Sequence, residues 1–88
     1  MTASQKVRVR VVSQKGTCAF EHKVGDQWVI NGKTPEGMCA SAFNALYSNL
    51  RVLRFGGSFP WEDDPDVSTV ACSDAANPVV FELRRLRE

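Results

Sequence analysis

Three cysteines and a single histidine carry the most distinctive chemistry in this 88-residue chain: Cys18, His22, Cys39 and Cys72. Thiolates are soft, anionic ligands, and a neutral imidazole supplies a fourth donor without adding charge. This set matches a closed tetrahedral site for zinc or another thiophilic metal. Cys18 and His22 also form a short C-x-x-x-H segment that could chelate one ion. We therefore predict a metal site formed by these four residues, with zinc as the first choice.

The spacing of these residues is less typical of zinc proteins than their types are. Structural zinc sites usually contain a C-x-x-C pair, which this chain lacks. Free cysteine is also among the most buried residues in proteins and often packs as a small apolar side chain. Core packing is therefore an alternative interpretation for Cys39, on an apolar helix stripe, and for Cys72, which shares a strand face with Val70.

A cysteine-dependent enzyme is a further alternative. Cys39 would act as the nucleophile, and His22 is the only base that titrates near neutral pH. In a redox version of this hypothesis, Cys18 or Cys72 would serve as the resolving thiol. In a metal site with only three protein ligands, the open position would activate water, with Asp26 as a base or as a group that orients a ligand. The candidate catalytic residues are thus Cys39 and Asp26, and the sequence leaves open whether the chain is an enzyme.

Other kinds of site find little support. The acids between residues 62 and 66 lack the central glycine and terminal glutamate of a calcium loop, so we expect a solvated loop there. No phosphate-binding glycine motif is present, which argues against a nucleotide cofactor. With 11 basic and 10 acidic side chains the net charge is +1, so we do not expect nucleic acid as a partner.

Length and composition predict one globular domain over residues 1–88. Hydrophobic residues make up 43% of the chain and charged residues 24%, which argues against disorder. No apolar run approaches the roughly 20 residues of a membrane span, and the N-terminal residues lack the apolar segment of a signal peptide. We therefore expect a cytoplasmic protein that does not enter a membrane.

The elements that must position the cysteines and the histidine begin with a strand over 7–12, where valine and arginine alternate. A second strand over 27–30 ends at the Asn31-Gly32 turn. Two more strands are predicted over 66–72 and 79–84, and the last one leads into a basic tail over 84–87. The inward positions of the first strand would be Val7, Val9 and Val11.

Between the second and third strands the sequence predicts one amphipathic helix. Thr34 is its expected N-cap, Pro35 its first residue, and Gly56-Gly57 its end. The order strand-strand-helix-strand-strand favours an α+β fold, a small and mainly antiparallel sheet with the helix packed on one face. The apolar stripe of the helix consists of Cys39, Ala42, Phe43, Leu46, Leu50 and Leu53.

The segment after the helix suggests a different kind of function. Phe59, Pro60 and Trp61 interrupt an otherwise acidic loop, which a purely solvated loop does not need. An apolar segment with an acidic rim can dock a protein partner or a second copy of the chain. A metal-free interaction or oligomerisation module is therefore the alternative to metal binding.

Four ordered motifs connect these features to known sequences. They are Cys18 to Asp26, Thr34 to Phe43, Leu53 to Gly57, and Cys72 to Phe81. Together they resemble a family of short, functionally uncharacterised bacterial and archaeal proteins with the pattern C-x-x-G-H-K-x-G-D, G-x-C-P-x-A-F, L-R-x-G-G and C-P-D. The resemblance places Cys18, His22, Cys39 and Cys72 at motif positions, with Gly25 and Asp26.

The chain departs from that pattern at three positions. Glu21 stands where the family has glycine, and Ala40 and Ser73 stand where it has proline. A Cys-Pro step removes a backbone amide near the sulfur, so the hydrogen bonding of Cys39 and Cys72 is expected to differ from that in relatives.

Overall fold

The chain folds into four strands and one helix, and the computed structural model describes residues 4–18, 21–72 and 74–87. Sequence reasoning predicted this α+β architecture and its element order, and both are confirmed. In chain order the elements are β1 (Val7–Gln14), β2 (Gln27–Ile30), α1 (Ala40–Arg54), β3 (Val67–Ala71) and β4 (Val79–Arg85).

The strands form one antiparallel sheet in the order β2-β1-β4-β3, so the first and last strands pair at its centre. The valine–arginine alternation in β1 works as predicted, because Val7, Val9 and Val11 are at most 1% exposed. The register of β1 against β4 then shifts between Val11 and Ser13, a bulge that turns Val12 outward. This irregularity precedes the loop that carries Cys18 and His22.

Helix α1 covers one face of the sheet with its predicted apolar stripe. Leu46, Leu50 and Leu53 are each at most 1% exposed. Each such side chain stabilises the fold by roughly 1.5–3 kcal/mol relative to an exposed position. The same core contains Phe81 and Leu83 of β4, so the helix and the central strands bury each other.

The helix begins later than the sequence indicated. The expected start at Thr34 and Pro35 is wrong, because α1 starts at Ala40 with Cys39 as N-cap. Gly37 adopts a φ of 83°, which interrupts any helix there, and the indole N–H of Trp28 donates to the carbonyl of Glu36 at 3.0 Å. These contacts hold the segment against β2 and override its local helix signals.

The helix ends as predicted at Gly56-Gly57. Gly56 has a φ of 90° and its N–H donates to Leu53 O, while the N–H of Gly57 donates to Val52 O at 2.8 Å. This pair of bonds is a Schellman motif, which satisfies carbonyls that would otherwise lack partners at the helix end.

Arg85 lies within the basic tail that the sequence predicts over 84–87, and the structure places it in the last strand instead. It belongs to β4, points toward the core and is only 5% exposed. Its guanidinium donates to the carbonyls of Leu53, Gly57 and Pro65 at 2.8–3.0 Å and pairs with the carboxylate of Asp66. Arg85 therefore joins the end of α1, the following loop and β4.

Among the described residues, no helix is long and apolar enough to cross a membrane.

Candidate functional site

One cavity of about 210 Å³ is lined by all four predicted metal ligands. They arrive from separate parts of the chain. Cys18 and His22 lie in the connection from β1 to β2, Cys39 is the N-cap of α1, and Cys72 directly follows β3. Asp74 and Asn77 also line the cavity, and no lysine or arginine is among the described residues that line it.

His22 is a buried side chain, 5% exposed, although its polar neighbours Glu21 and Lys23 gave no sign of burial. Its ring meets the indole of Trp28 edge-on at a centroid distance of 5.3 Å and lies 6.4 Å from the ring of Phe81. The Nε2 atom accepts a hydrogen bond of 3.0 Å from the backbone N–H of Cys39. In the neutral imidazole this bond places the proton on Nδ1.

Cys39 connects the cavity to the start of α1. It makes no side-chain hydrogen bond as N-cap, and the first helical turn contains no acidic residue. Backbone N–H groups at a helix start lack partners within the helix and, with the helix dipole, favour negative charge nearby. The cavity, which Ser41 and Ala42 also line, therefore lies at an electropositive helix end.

Cys72 is held by the strand beside it. Its backbone N–H donates to Val79 O at 2.9 Å, and its Sγ accepts a hydrogen bond of 3.3 Å from the N–H of Val79. A backbone donor at this sulfur stabilises negative charge on it, as similar donors do around metal-bound thiolates.

The short segment from Cys18 to His22 is clamped by Gln14, a residue that the sequence analysis missed. With its amide oriented to satisfy both neighbours, Gln14 donates to His22 O at 2.8 Å and accepts from the N–H of Cys18 at 3.2 Å. The N–H of Glu21 donates to Cys18 O, and Glu21 has a φ of 62°. Glycine adopts this conformation at much lower cost than glutamate does.

Asn77 ties the same loop to the β3–β4 connection, and the sequence analysis missed it as well. Its Oδ1 accepts from the N–H of Thr17 at 3.0 Å, while its own N–H donates to Asp74 Oδ1. Gly16, with a φ of 70°, lies so close that an added Cβ would collide with the Asn77 side chain. Such contacts between distant loops cannot be recognised from residue spacing.

The four candidate ligands share a cavity without being gathered around one point. Among the described residues, no three His, Cys, Asp or Glu side chains lie close enough together to hold a metal ion. All three cysteines are free thiols of intermediate burial. The cavity therefore has the donors of a thiophilic metal site on its walls, in positions that require side-chain movement to converge.

The remaining predicted residues lie elsewhere. Asp26 uses its carboxylate to accept from the N–H of Lys23 at 3.1 Å, closing the turn before β2, and it does not line the cavity. The acidic loop is more than a solvated segment, because Glu62 accepts from the N–H of Thr69, and Asp64 and Asp66 pair with arginines of the C-terminal segment.

The apolar part of that loop is exposed, as the alternative function requires. Trp61 is 71% exposed, and its ring lies 5.1 Å from the ring of Phe59. Phe59 packs partly against the core, so it anchors the loop while Trp61 faces solvent.

Searches with this chain find no matching protein-family model, no matching curated protein and no matching solved structure. The resemblance carried by the four motifs therefore stays a prediction.

Proposed function

We propose that this chain is a small cytoplasmic protein that binds a thiophilic divalent metal ion, zinc first, through Cys18, His22, Cys39 and Cys72. The observation that carries the proposal is that one cavity is lined by every thiol and by the only imidazole of the chain. Three free cysteines also fit a reducing compartment such as the cytoplasm.

The electrostatics of the cavity favour this proposal. Three thiolates and one divalent cation leave a net negative charge, which the start of α1 and the Val79 N–H at Cys72 would both stabilise. In the part of the chain that the structure describes, no lysine or arginine lines the cavity to compete with a cation. These are the conditions that a thiolate-rich site needs.

Metal binding requires a local rearrangement. Ligation by His22 through Nε2 replaces its hydrogen bond to the Cys39 N–H, and the cysteine side chains rotate toward a common point. Because a thiolate rather than a thiol binds the metal, binding releases protons and its affinity rises with pH.

The decisive experiment is metal analysis of untagged protein purified without chelator, combined with counting of reactive thiols before and after denaturation. The proposal predicts about one equivalent of metal per chain, as expected for a single four-ligand site, and thiols that react only after denaturation. Cys18→Ser and His22→Ala should each release the metal. Ser41→Ala, which alters the cavity without removing a ligand, should retain it. Metal-free protein that binds no zinc on reconstitution contradicts the proposal.

A second candidate function is a protein-interaction or homo-oligomerisation module, which the exposure of Trp61 favours. On this hypothesis Trp61→Ala changes the oligomeric state or partner binding, whereas Cys18→Ser leaves both unchanged. Val24→Ala is a matched control, because Val24 is also an exposed apolar side chain but lies in a turn far along the chain from the Trp61 loop. Light scattering of the three variants separates this hypothesis from metal binding.

A cysteine-dependent enzyme is the third hypothesis. In this conformation Nε2 of His22 accepts a hydrogen bond from the backbone N–H of Cys39 and not from its thiol. A nucleophilic Cys39 should react with iodoacetamide much faster than Cys18 and Cys72. Equal, slow labelling of all three thiols argues against it.

A further inference from the structure

A second cavity, of about 310 Å³, lies between α1 and the segment 30–34 at the end of β2, and none of the three cysteines lines it. Its floor is apolar, since it is formed by the side chains of Ile30 and Leu50, which are at most 2% exposed. This volume is at the lower end of the roughly 300–1,000 Å³ typical of small-molecule sites. The cavity is independent of the proposed metal site and shares no lining residue with it.

The charged groups of this second cavity are all positive. Arg54, in the last turn of α1, and Lys33, in the loop after β2, line it together with the side chains of Thr34 and Tyr47. None of the described aspartates or glutamates lines it. Within the described part of the chain, neither Arg54 nor Lys33 has a carboxylate at ion-pair distance.

Arg54 has an unmet hydrogen-bonding requirement. Its Nε atom is buried and has no hydrogen-bond acceptor among the described residues. A buried donor without a partner is unfavourable, so a bound acceptor that hydrogen-bonds to Nε stabilises the protein. Gly32 keeps the approach open, because it carries no side chain beside the Arg54 guanidinium.

We infer that this second cavity binds a small organic carboxylate with an apolar body. The carboxylate would accept from the Arg54 guanidinium, with Lys33 and the Tyr47 or Thr34 hydroxyl as further donors. The body would lie on Ile30 and Leu50, beside the Phe43 ring. Guanidinium groups recognise carboxylates through paired, charge-assisted hydrogen bonds, which explains the choice of anion.

The test is an NMR titration of the full chain with 3-phenylpropionate. Saturable shifts are expected for the Arg54 Nε–Hε resonance and for the backbone amides of Gly32 and Thr34. The neutral analogue 3-phenylpropanamide should bind at least about ten-fold more weakly, since it lacks the charge that the guanidinium recognises. Absence of saturable shifts at millimolar 3-phenylpropionate, or equal binding of the amide, overturns the inference.

Arg51 provides a matched control on the same helix. Both arginines lie in the last turn over the ring of Phe55, at 5.9 Å for Arg51 and 5.1 Å for Arg54, but only Arg54 lines the cavity. Arg54→Met should weaken binding by about ten-fold or more, whereas Arg51→Met should leave it within about two-fold. Equal weakening by both variants would show attraction by net charge alone and overturn the inference.

A variant outside the helix keeps the test valid if Arg54→Met fails to fold. Lys33→Gln removes the other cation from an exposed loop position and should weaken binding several-fold. Unchanged binding in Lys33→Gln overturns the inference.

Discussion

The backbone N–H of Cys39 donates to Nε2 of His22 across 3.0 Å, and this hydrogen bond joins the β1–β2 connection to the N-cap residue of α1. This bond explains why two residues separated by 17 positions line one cavity. It also gives His22 a structural role that does not depend on metal, because the ring fills space between Trp28 and Phe81.

His22→Ala should therefore destabilise the metal-free protein. The substitution leaves a hole beside Trp28 and Phe81 and removes the acceptor of the Cys39 N–H, which together should cost about 2–4 kcal/mol. Urea unfolding in the presence of a chelator measures this loss. Trp61→Ala, which removes a larger but exposed ring, should change the free energy of unfolding by less than about 0.5 kcal/mol. Equal stability of His22→Ala and the unmodified chain would refute the buried position of the ring.

Glu21→Gly should stabilise the protein. The φ of 62° at Glu21 is costly for a residue with a Cβ, and glycine removes that cost while adding some chain entropy to the unfolded state, for a net gain of up to about 1 kcal/mol. Glu21→Ala is the control, since alanine keeps the Cβ and should bring no such gain. Thermal unfolding of both variants provides the comparison, and a gain of similar size in Glu21→Ala would point to removal of charge instead.

Substitution of the buried Arg85 should lower the free energy of unfolding more than substitution of an exposed arginine does. Arg85→Met keeps the apolar stem but leaves the Leu53, Gly57 and Pro65 carbonyls without their donor, and should cost about 3–5 kcal/mol. Arg87→Met removes the other arginine bound to Asp66, but that side chain is 64% exposed. We expect Arg87→Met to cost no more than about 1 kcal/mol, measured by chemical unfolding of both variants. Similar losses in the two variants would contradict a special role of Arg85.

Acid should weaken the protein through Asp66. Hydrogen bonds from Arg87 and then Arg85 lower the pKa of Asp66 to about 2 from its model-peptide value of 3.8. A depressed carboxylate pKa contributes stability above the unfolded value, and this contribution is lost as pH falls from about 4 to about 2. The loss should be on the order of 1–2 kcal/mol, allowing for partial solvent screening.

Asp66→Asn isolates that contribution. The variant should be less stable than the unmodified chain at neutral pH, and the difference should shrink as pH approaches 2, where the native carboxylate also becomes protonated. Unfolding free energies measured at several acidic pH values test this, and a difference that does not change with pH would assign the effect to packing.

The sequence predicted the elements well where local patterns and burial agree. The valines of β1, the leucine stripe of α1 and the glycine stop at Gly56 follow from periodicity and backbone freedom alone. The helix start at Thr34 was wrong because the bond from Trp28 to the Glu36 carbonyl is a tertiary contact, and no local signal announces it. The burial of Arg85 was not predicted for the same reason, because its hydrogen bonds to Leu53, Gly57 and Pro65 are also tertiary contacts.

The site was predictable in its chemistry and not in its geometry. Rare residue types identified Cys18, His22, Cys39 and Cys72, and these do line one cavity. The residues that hold the loops together, Gln14 and Asn77, are common polar types whose role depends on contacts across the fold. Only the three-dimensional arrangement distinguishes them from ordinary surface amides.

The pairing of β1 with β4 has a consequence for when the cavity exists. Arg8 and Glu82, whose side chains form a hydrogen bond across that pair, are 74 positions apart. Closing so long a segment costs chain entropy before its contacts form, so the central pair is expected to form late, after the local turns of α1. The lining of the cysteine cavity includes Cys18, which follows β1, and Val79 and Phe81 of β4, so the cavity is complete only when this pair has formed. Before β1 and β4 have paired, Cys18, Cys39 and Cys72 belong to separate segments of the chain, and a site that uses all three can exist only in the folded protein.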